Sequence, residues 1–289
     1  MNLREPAFLL QASRPGLWLT AIAFYMLPLG QRAVFHSTAF WLGALYVSFP
    51  MGLLLYGWND IVDYDADRLN PRKGTFLFGA RGTPEQLRGL PLRIALVQVP
   101  FVVTCSVIAG AKILLCFAGM IGAAALYNWP RYGFKARPPL EMLNQTGYLF
   151  VFLLSSWLND VPLLPWPTML FGALFAMHSL VFGEVMDLEP DRMAGRRTTA
   201  TVIGRVPAKL LMAVLMLVEA GLVLKFFGAT ALAGFLLVSA AWFTIDATVI
   251  WRGRPYSNRE MRFFMLAWNA IALGSMPWMW SQATLLRMR

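Results

Sequence analysis

Charge is scarce in this chain. Only 14% of its 289 residues are Asp, Glu, Lys or Arg, where a soluble globular domain carries about a quarter. Cysteine and histidine are scarcer still, at two each. Cys105 and Cys116 both fall in apolar stretches, with no Cys-x-x-Cys spacing and no partner in a loop, which argues against a disulfide framework and a zinc site. His36 sits in a short loop and His178 alone within an apolar stretch, so no Ser/His/Asp or Cys/His arrangement for nucleophilic catalysis is present. A lone histidine in a helix is expected to be packed or hydrogen-bonded. No low-complexity linker divides the chain. It reads as one membrane domain, 1–289, built from two sequence-related halves, about 1–140 and 141–289. The first apolar stretch ends without a small-residue cleavage site and eight more come after it, so it is expected to remain as a helix and not to be a signal peptide.

Hydrophobic residues fill the space that charge leaves, making up 58% of the chain. They form nine apolar stretches, at about 16–30, 38–58, 93–111, 113–129, 143–158, 166–186, 208–227, 229–250 and 263–283. Most approach the roughly 17–25 residues needed to cross hydrocarbon. Lipid cannot satisfy backbone N–H and C=O groups, so spans are helical or close into a barrel, and long runs without alternation exclude the barrel. The expected fold is all-α, a polytopic membrane helical bundle of about nine transmembrane helices. The net charge of +10 would suggest nucleic acid in a soluble protein; here topology accounts for it. With nine spans, every basic residue except Arg32, Lys112, Lys225, Arg287 and Arg289 falls on the side that holds the N-terminus. Cytoplasmic loops collect Lys and Arg, so that side is expected to be cytoplasmic, the partner surface is the lipid bilayer, and no nucleic acid is implied.

With Asp60 and Glu184 just before them, two segments that repeat at an offset of 124 residues hold eight of the fifteen acids. The first runs Asp63-Tyr-Asp-Ala-Asp67-Arg68 and on to Arg72-Lys73-Gly-Thr75; the second runs Asp187-Leu-Glu-Pro-Asp191-Arg192 and on to Arg196-Arg197-Thr-Thr199. Both begin where an apolar stretch ends, on the same expected side. Asn59, Asp63 and Asp67 are spaced by four, so on a continuing helix they share a face with Asp60 beside them, and Pro71 ends the pattern. In the second copy Glu184 and Asp187 share a face, but Pro190 is expected to end the span near Leu188 and open a new turn, leaving the direction of Asp191 unset. Clustered carboxylates without His or Cys suit a hard cation such as magnesium, which is commonly shared between one or two carboxylates and phosphate oxygens. The arginines that come next suit the phosphate itself, since a guanidinium donates two parallel hydrogen bonds. The plain alternative is that these acids are solvated or paired near helix ends. It does not explain two copies with matched flanks, and ionisable groups at membrane boundaries mark function by default.

Asn59-Asp60-x-x-Asp63-x-x-x-Asp67 with the later Asp187-x-x-x-Asp191 resembles the paired aspartate motifs of the UbiA superfamily of intramembrane prenyltransferases, and the segment Tyr127 to Lys135 resembles that family's third, Tyr- and Lys-containing loop. The resemblance covers essentially the whole chain. It implies a helical bundle around a central apolar cavity, with Mg2+ bridging the aspartates and an isoprenyl diphosphate. Asn59, Asp60, Asp63 and Asp67 would form one metal cluster and Asp187 and Asp191 the other, with Asp63, Asp67, Asp187 and Asp191 catalytic. Arg72, Lys73, Arg131, Lys135 and Arg196 would contact diphosphate. Glu184, where related proteins more often have Asn or Asp, would be an accessory of the second motif. The implied reaction is magnesium-dependent transfer of an isoprenyl group to a lipophilic acceptor. The stretch Tyr56-Gly-Trp-Asn-Asp with Asn70-Pro-Arg-Lys-Gly looks closer to the lycopene elongase-like branch than to the quinone-forming one, with an aromatic or quinone precursor as the other acceptor class. A terpene cyclase of the same family would use the same aspartates. A membrane transporter would also have repeated halves, but carriers generally bind near the midplane, whereas these acids lie at one face. Glu219 and Asp246 are polar outliers in late spans that either line the cavity or pair between helices.

Overall fold

A computed structural model describes residues 4–289. Among them the only extended pairing is an isolated bridge between Thr75 and Gly79. The rest is helix and connecting loop, as the unbroken apolar stretches require. The helices are α1 (Arg4–Ala12), α2 (Trp18–Met26), α3 (Thr38–Val62), α4 (Tyr64–Leu69), α5 (Pro84–Ala109), α6 (Ile113–Asn128), α7 (Leu140–Asn144), α8 (Leu149–Leu158), α9 (Trp166–Met193), α10 (Thr199–Ile203), α11 (Arg205–Phe227), α12 (Thr230–Ile250) and α13 (Asn258–Ser281). By length and composition, α3, α5, α9, α11 and α12 can cross a membrane. Helix α6 is apolar but shorter, as are α2 and α8, and α13 is long but opens on Arg259, Glu260 and Arg262. Five of the nine expected spans therefore meet the criterion on their own, and the chain is an integral, multi-pass membrane protein.

Local chemistry sets the helix ends. Ser37 caps α3 by accepting from the Ala39 amide, and Thr83 with Gln86 and Ser257 with Glu260 form reciprocal capping boxes on α5 and α13. Leu92, Leu96, Val99, Val103 and Val107 are exposed on α5 at three- and four-residue steps, a stripe that suits lipid and not water. The inward faces pack into clusters. One joins α1, α2, α3, α5, α6 and α8 through Tyr25, Tyr46, Leu53, Leu90, Phe117 and Leu154; others join α9 to α11, α12 and α13.

Two irregularities set the placement of the first acidic segment. Helix α3 widens into a π segment at Leu53–Gly57, which ends two residues before Asn59, and such segments recur at functional sites because they change the direction of the side chains beyond them. Gln98 of α5 donates to the Pro50 carbonyl at 2.8 Å just upstream. The second irregularity is at Arg14, between α1 and α2, whose backbone is left-handed at φ 51°, a conformation uncommon for a residue with a side chain. Gly16 and Gly52 let the chain fold there: a Cβ at Gly16 would collide with the Leu77 backbone and one at Gly52 with the Ser13 carbonyl.

Candidate active site

The two acidic segments meet. Asp63 receives Arg196 from the second copy, and Asp187 receives Arg72 from the first, with Nε donating to Oδ1 at 2.7 Å. These contacts are reciprocal. Asp63 and Asp187 are 124 residues apart in the chain, as are Arg72 and Arg196, so each copy's basic residue reaches across to the other copy's acid. Asn70 adds a second donor to Asp187 at 2.7 Å. Arg196 also reaches Asp191, with Nη1 3.5 Å from Oδ1. From a third loop Lys135 reaches Asn59 and Asp63, while Asn59 itself donates to Asp63 at 2.9 Å.

This knot closes one end of a cavity of about 620 Å³. Asn59, Asp63, Arg72, Lys135, Glu184, Asp187, Asp191 and Arg196 all line it. Farther in, the wall is aromatic and aliphatic, with Trp18, Phe24, Phe175, Phe182, Phe264 and Trp268. The polar end therefore offers carboxylate oxygens and guanidinium groups, and the remainder accommodates hydrocarbon.

The other expected site residues lie elsewhere. Asp60, Asp67 and Lys73 are buried behind the cavity wall. Lys73 Nζ donates to Asp60 Oδ1 at 2.7 Å and lies 2.8 Å from Asp67 Oδ2, so the amine expected to meet diphosphate is committed to carboxylates. Arg131 is exposed, 5.4 Å over the Tyr132 ring, and does not line the cavity; the loop that holds it sends Lys135 inward instead. Asp67 is set apart electrostatically as well. Burial pushes its carboxyl up to about 6, with Lys73 opposing and Asp60 and Asp63 reinforcing the rise. At Asp63 burial also disfavours the charge, but Lys135 and Arg196 together outweigh it and hold the pKa below the usual carboxylate value. Burial lowers the pKa of Lys135 despite Asp63 beside it.

The helical geometry bears out the end of the first pattern before Pro71 but not a single shared face, since Asn59 and Asp63 line the cavity and Asp67 does not, and it corrects the second copy. In the first copy the chain turns at Asp63 between α3 and α4, yet the amides of Asp63 and Asp67 still donate to the carbonyls four residues back, at 2.9 and 2.8 Å. The pattern ends at Asn70, extended before Pro71, as proline requires. In the second copy α9 does not stop near Leu188. It continues through Pro190 to Met193, so Glu184, Asp187 and Asp191 all lie on the helical face that lines the cavity. Proline removes one N–H there, but Leu188, Pro190 and Asp191 are buried against neighbours and one turn remains, so the loss is local.

Two participants carry only a faint mark in the sequence. Arg14 donates to Asp60 at 3.2 Å, stacks 4.7 Å over the Tyr56 ring and lines the cavity. Its signal is an arginine placed directly before Pro15-Gly16 at the head of an apolar stretch. Glu141 is fully buried, accepts from the amide and hydroxyl of Thr199, each at 2.7 Å, and also lines the cavity. Its signal is an acid placed after Pro138-Pro139 at the mouth of a span.

The residues' fit to a divalent cation rests on their oxygens. Among the described residues no three His, Cys, Asp or Glu side chains converge as a ready-made metal nest; the carboxylates are held by basic side chains instead. Their chemistry is nevertheless all oxygen, and buried acceptor atoms without a hydrogen-bond donor remain at Asp60 Oδ2, Glu141 Oε2 and Glu184 Oε1. Buried carboxylate oxygens without donors are costly, and a hard cation satisfies them.

Residues 16–270 match the UbiA prenyltransferase family. A lycopene elongase/hydratase from Corynebacterium glutamicum is 29% identical over 271 residues, covering 89% of this chain and 91% of that protein. Another from Haloarcula japonica is 31% identical over 215 residues, covering 68% of this chain and 67% of its own. In structure the chain is similar to a UbiA homolog from Archaeoglobus fulgidus bound to DMAPP and Mg2+, with a TM-score of 0.72 at 18% identity over 96% of this chain and 99% of that one, and to the same homolog bound to GPP and Mg2+, with a TM-score of 0.70. The match over most of the chain and the paired acidic segments at the mouth of an apolar cavity agree: this chain belongs to the UbiA prenyltransferase family.

Proposed function

We propose that this protein transfers an isoprenyl group from its diphosphate to a linear carotenoid within the membrane, with Mg2+ as cofactor. The observation that carries the reading is the crossed pairing of Asp63 with Arg196 and Asp187 with Arg72 at the polar end of an otherwise apolar cavity. The names of the curated relatives supply the acceptor class. Asn59, Asp63, Asp187 and Asp191 would hold magnesium at the cavity face, while Asp60 and Asp67 stay paired with Lys73 behind them. Bound magnesium would take up the negative charge that develops on diphosphate as the allylic C–O bond breaks. Arg72, Arg196 and Lys135, which hold the acids now, are the groups that meet phosphate oxygens; Glu184 supports the second segment by accepting from the Ala200 amide at 3.0 Å. The aromatic wall keeps water from the allylic cation, and a ring face attracts such a cation by up to about 2 kcal/mol when desolvated.

The two sequence-related halves act as one catalytic unit, since Asp63 and Asp187 each take their arginine from the other copy. The acid-bearing end and the N-terminus face the cytoplasm, which the distribution of Lys and Arg supports. Incubation of the purified protein with magnesium, DMAPP and lycopene tests the reading: the expected product is a carotenoid extended by one isoprenyl unit. A cyclised hydrocarbon formed from the diphosphate without acceptor contradicts transfer and favours a cyclase.

A further inference from the structure

Beyond the acidic segments, a histidine backed by a buried acid lies at the apolar part of the cavity. His178 of α9 lines it, and its Nδ1 lies 2.7 Å from Glu219 Oε1 of α11. Glu219 is fully buried, and among the described residues His178 is its one side-chain partner; its Oε2 has none. An ionised carboxylate only accepts, so Nδ1 then carries the proton and Nε2 presents a lone pair. Nε2 makes no hydrogen bond to any described residue. Phe175 packs against the ring, 4.9 Å between centroids, and Phe175 in turn packs on Trp268 at 5.6 Å. The imidazole is thus held at Nδ1, and its ring lines a hydrocarbon-walled space. His178 precedes Glu184 by six residues on one helix, which places it roughly 9 Å deeper than that acid, on the hydrocarbon side of the diphosphate site. Packing alone accounts for a neutral ring, but not for a buried acid whose partner is that ring.

We propose that His178 is the proton acceptor that ends the reaction and that Glu219 positions it, an inference that rests on the transferase reading. When the allylic C–O bond has broken, the acceptor's alkene π pair forms the new C–C bond and leaves a tertiary cation on the adjacent carbon. That cation is discharged with release of one proton. Either a neighbouring C–H bond supplies the electron pair for a new C=C, or water adds through oxygen and sheds a proton as the tertiary alcohol forms. In both cases the proton goes to Nε2, and Glu219 stabilises the resulting imidazolium through Nδ1–H. The wild-type product tells the two sources apart, an alkene for C–H and an alcohol for water.

The test compares the wild type, His178→Gln and Glu219→Gln with magnesium, DMAPP and lycopene, measuring diphosphate, extended carotenoid and dimethylallyl alcohol together. In His178→Gln diphosphate release is expected to stay within about threefold of wild type, while extended carotenoid per diphosphate falls at least about tenfold and dimethylallyl alcohol makes up the difference. The fall arises because C–C bond formation reverses when the cation is not discharged. Glu219→Gln keeps the shape and a hydrogen-bond acceptor but no charge, and is expected to lower the same ratio by about three- to tenfold. A wild-type ratio in either variant overturns the role of that residue, and diphosphate and carotenoid falling in parallel shows a packing role only. If the wild type itself fails to extend lycopene, the transferase reading fails first, and separately.

Discussion

The two acidic segments differ in what stands behind them. In the first copy, Asp60 and Asp67 turn away from the cavity onto Lys73, and Arg14 closes the same cluster from a distant helix end. In the second copy the residue 124 positions after Asp60 is Glu184, which lines the cavity and accepts from a backbone amide. The counterpart of Asp67 is Asp191, also at the cavity, and the counterpart of Lys73 is Arg197, which is exposed. One copy therefore has an ionic foundation and the other presents its acids directly. Only the pairs that cross between copies, Asp63 with Arg196 and Asp187 with Arg72, preserve the symmetry. The contacts that join the two segments are matched, and the surroundings of each are not.

That contrast can be broken at either level. Asp63→Ala and Asp187→Ala each remove an acid that both copies share, and magnesium-dependent diphosphate release is expected to fall on the order of a thousandfold, by about the same factor for each. A large inequality between them would mean that the two copies do different work. Arg72→Ala and Arg196→Ala are expected to cost about a hundredfold each in kcat/KM, with the magnesium requirement kept.

Lys73→Met tests the foundation itself. It leaves Asp60 and Asp67 without their buried amine, and loss of one partner of a buried pair costs about 3–5 kcal/mol. The expectation is a clear loss of unfolding stability in detergent, where Arg197→Met at the matching position changes stability by no more than about 0.5 kcal/mol. Arg131→Ala, outside the cavity, is expected to leave diphosphate release within about twofold of wild type, and a larger fall would bring the third loop's exposed edge into the site.

Much of this was legible in the sequence because it is local. Apolar runs give helices, prolines and caps give their ends, and a repeat with matched flanks gives two segments of one kind at one membrane face. Which acids point into the cavity was not legible. The π segment at Leu53–Gly57 shifts the register of Asn59 and Asp60, and sequence spacing alone assumes about 3.6 residues per turn. Local rules make Pro190 a helix end, yet burial of Leu188 and Asp191 carries α9 past it. Arg14 and Asp60 are 46 residues apart, and their meeting depends on two glycines that admit close backbone contact. The approach of Arg72 to Asp187 and of Arg196 to Asp63 is a property of the folded pair of halves, which the repeat implies in kind but not in partner.

The central claim is that the two copies make one site by holding each other's acids. A double-mutant cycle tests it directly: Asp63→Asn, Arg196→Gln and the double variant, read as unfolding free energy without ligand, beside a control cycle of Asp63→Asn with Arg131→Gln. The account predicts a coupling of at least about 1 kcal/mol between Asp63 and Arg196, and additivity within about 0.5 kcal/mol for the control. Additive effects for Asp63 and Arg196, or equal coupling in both cycles, would contradict it.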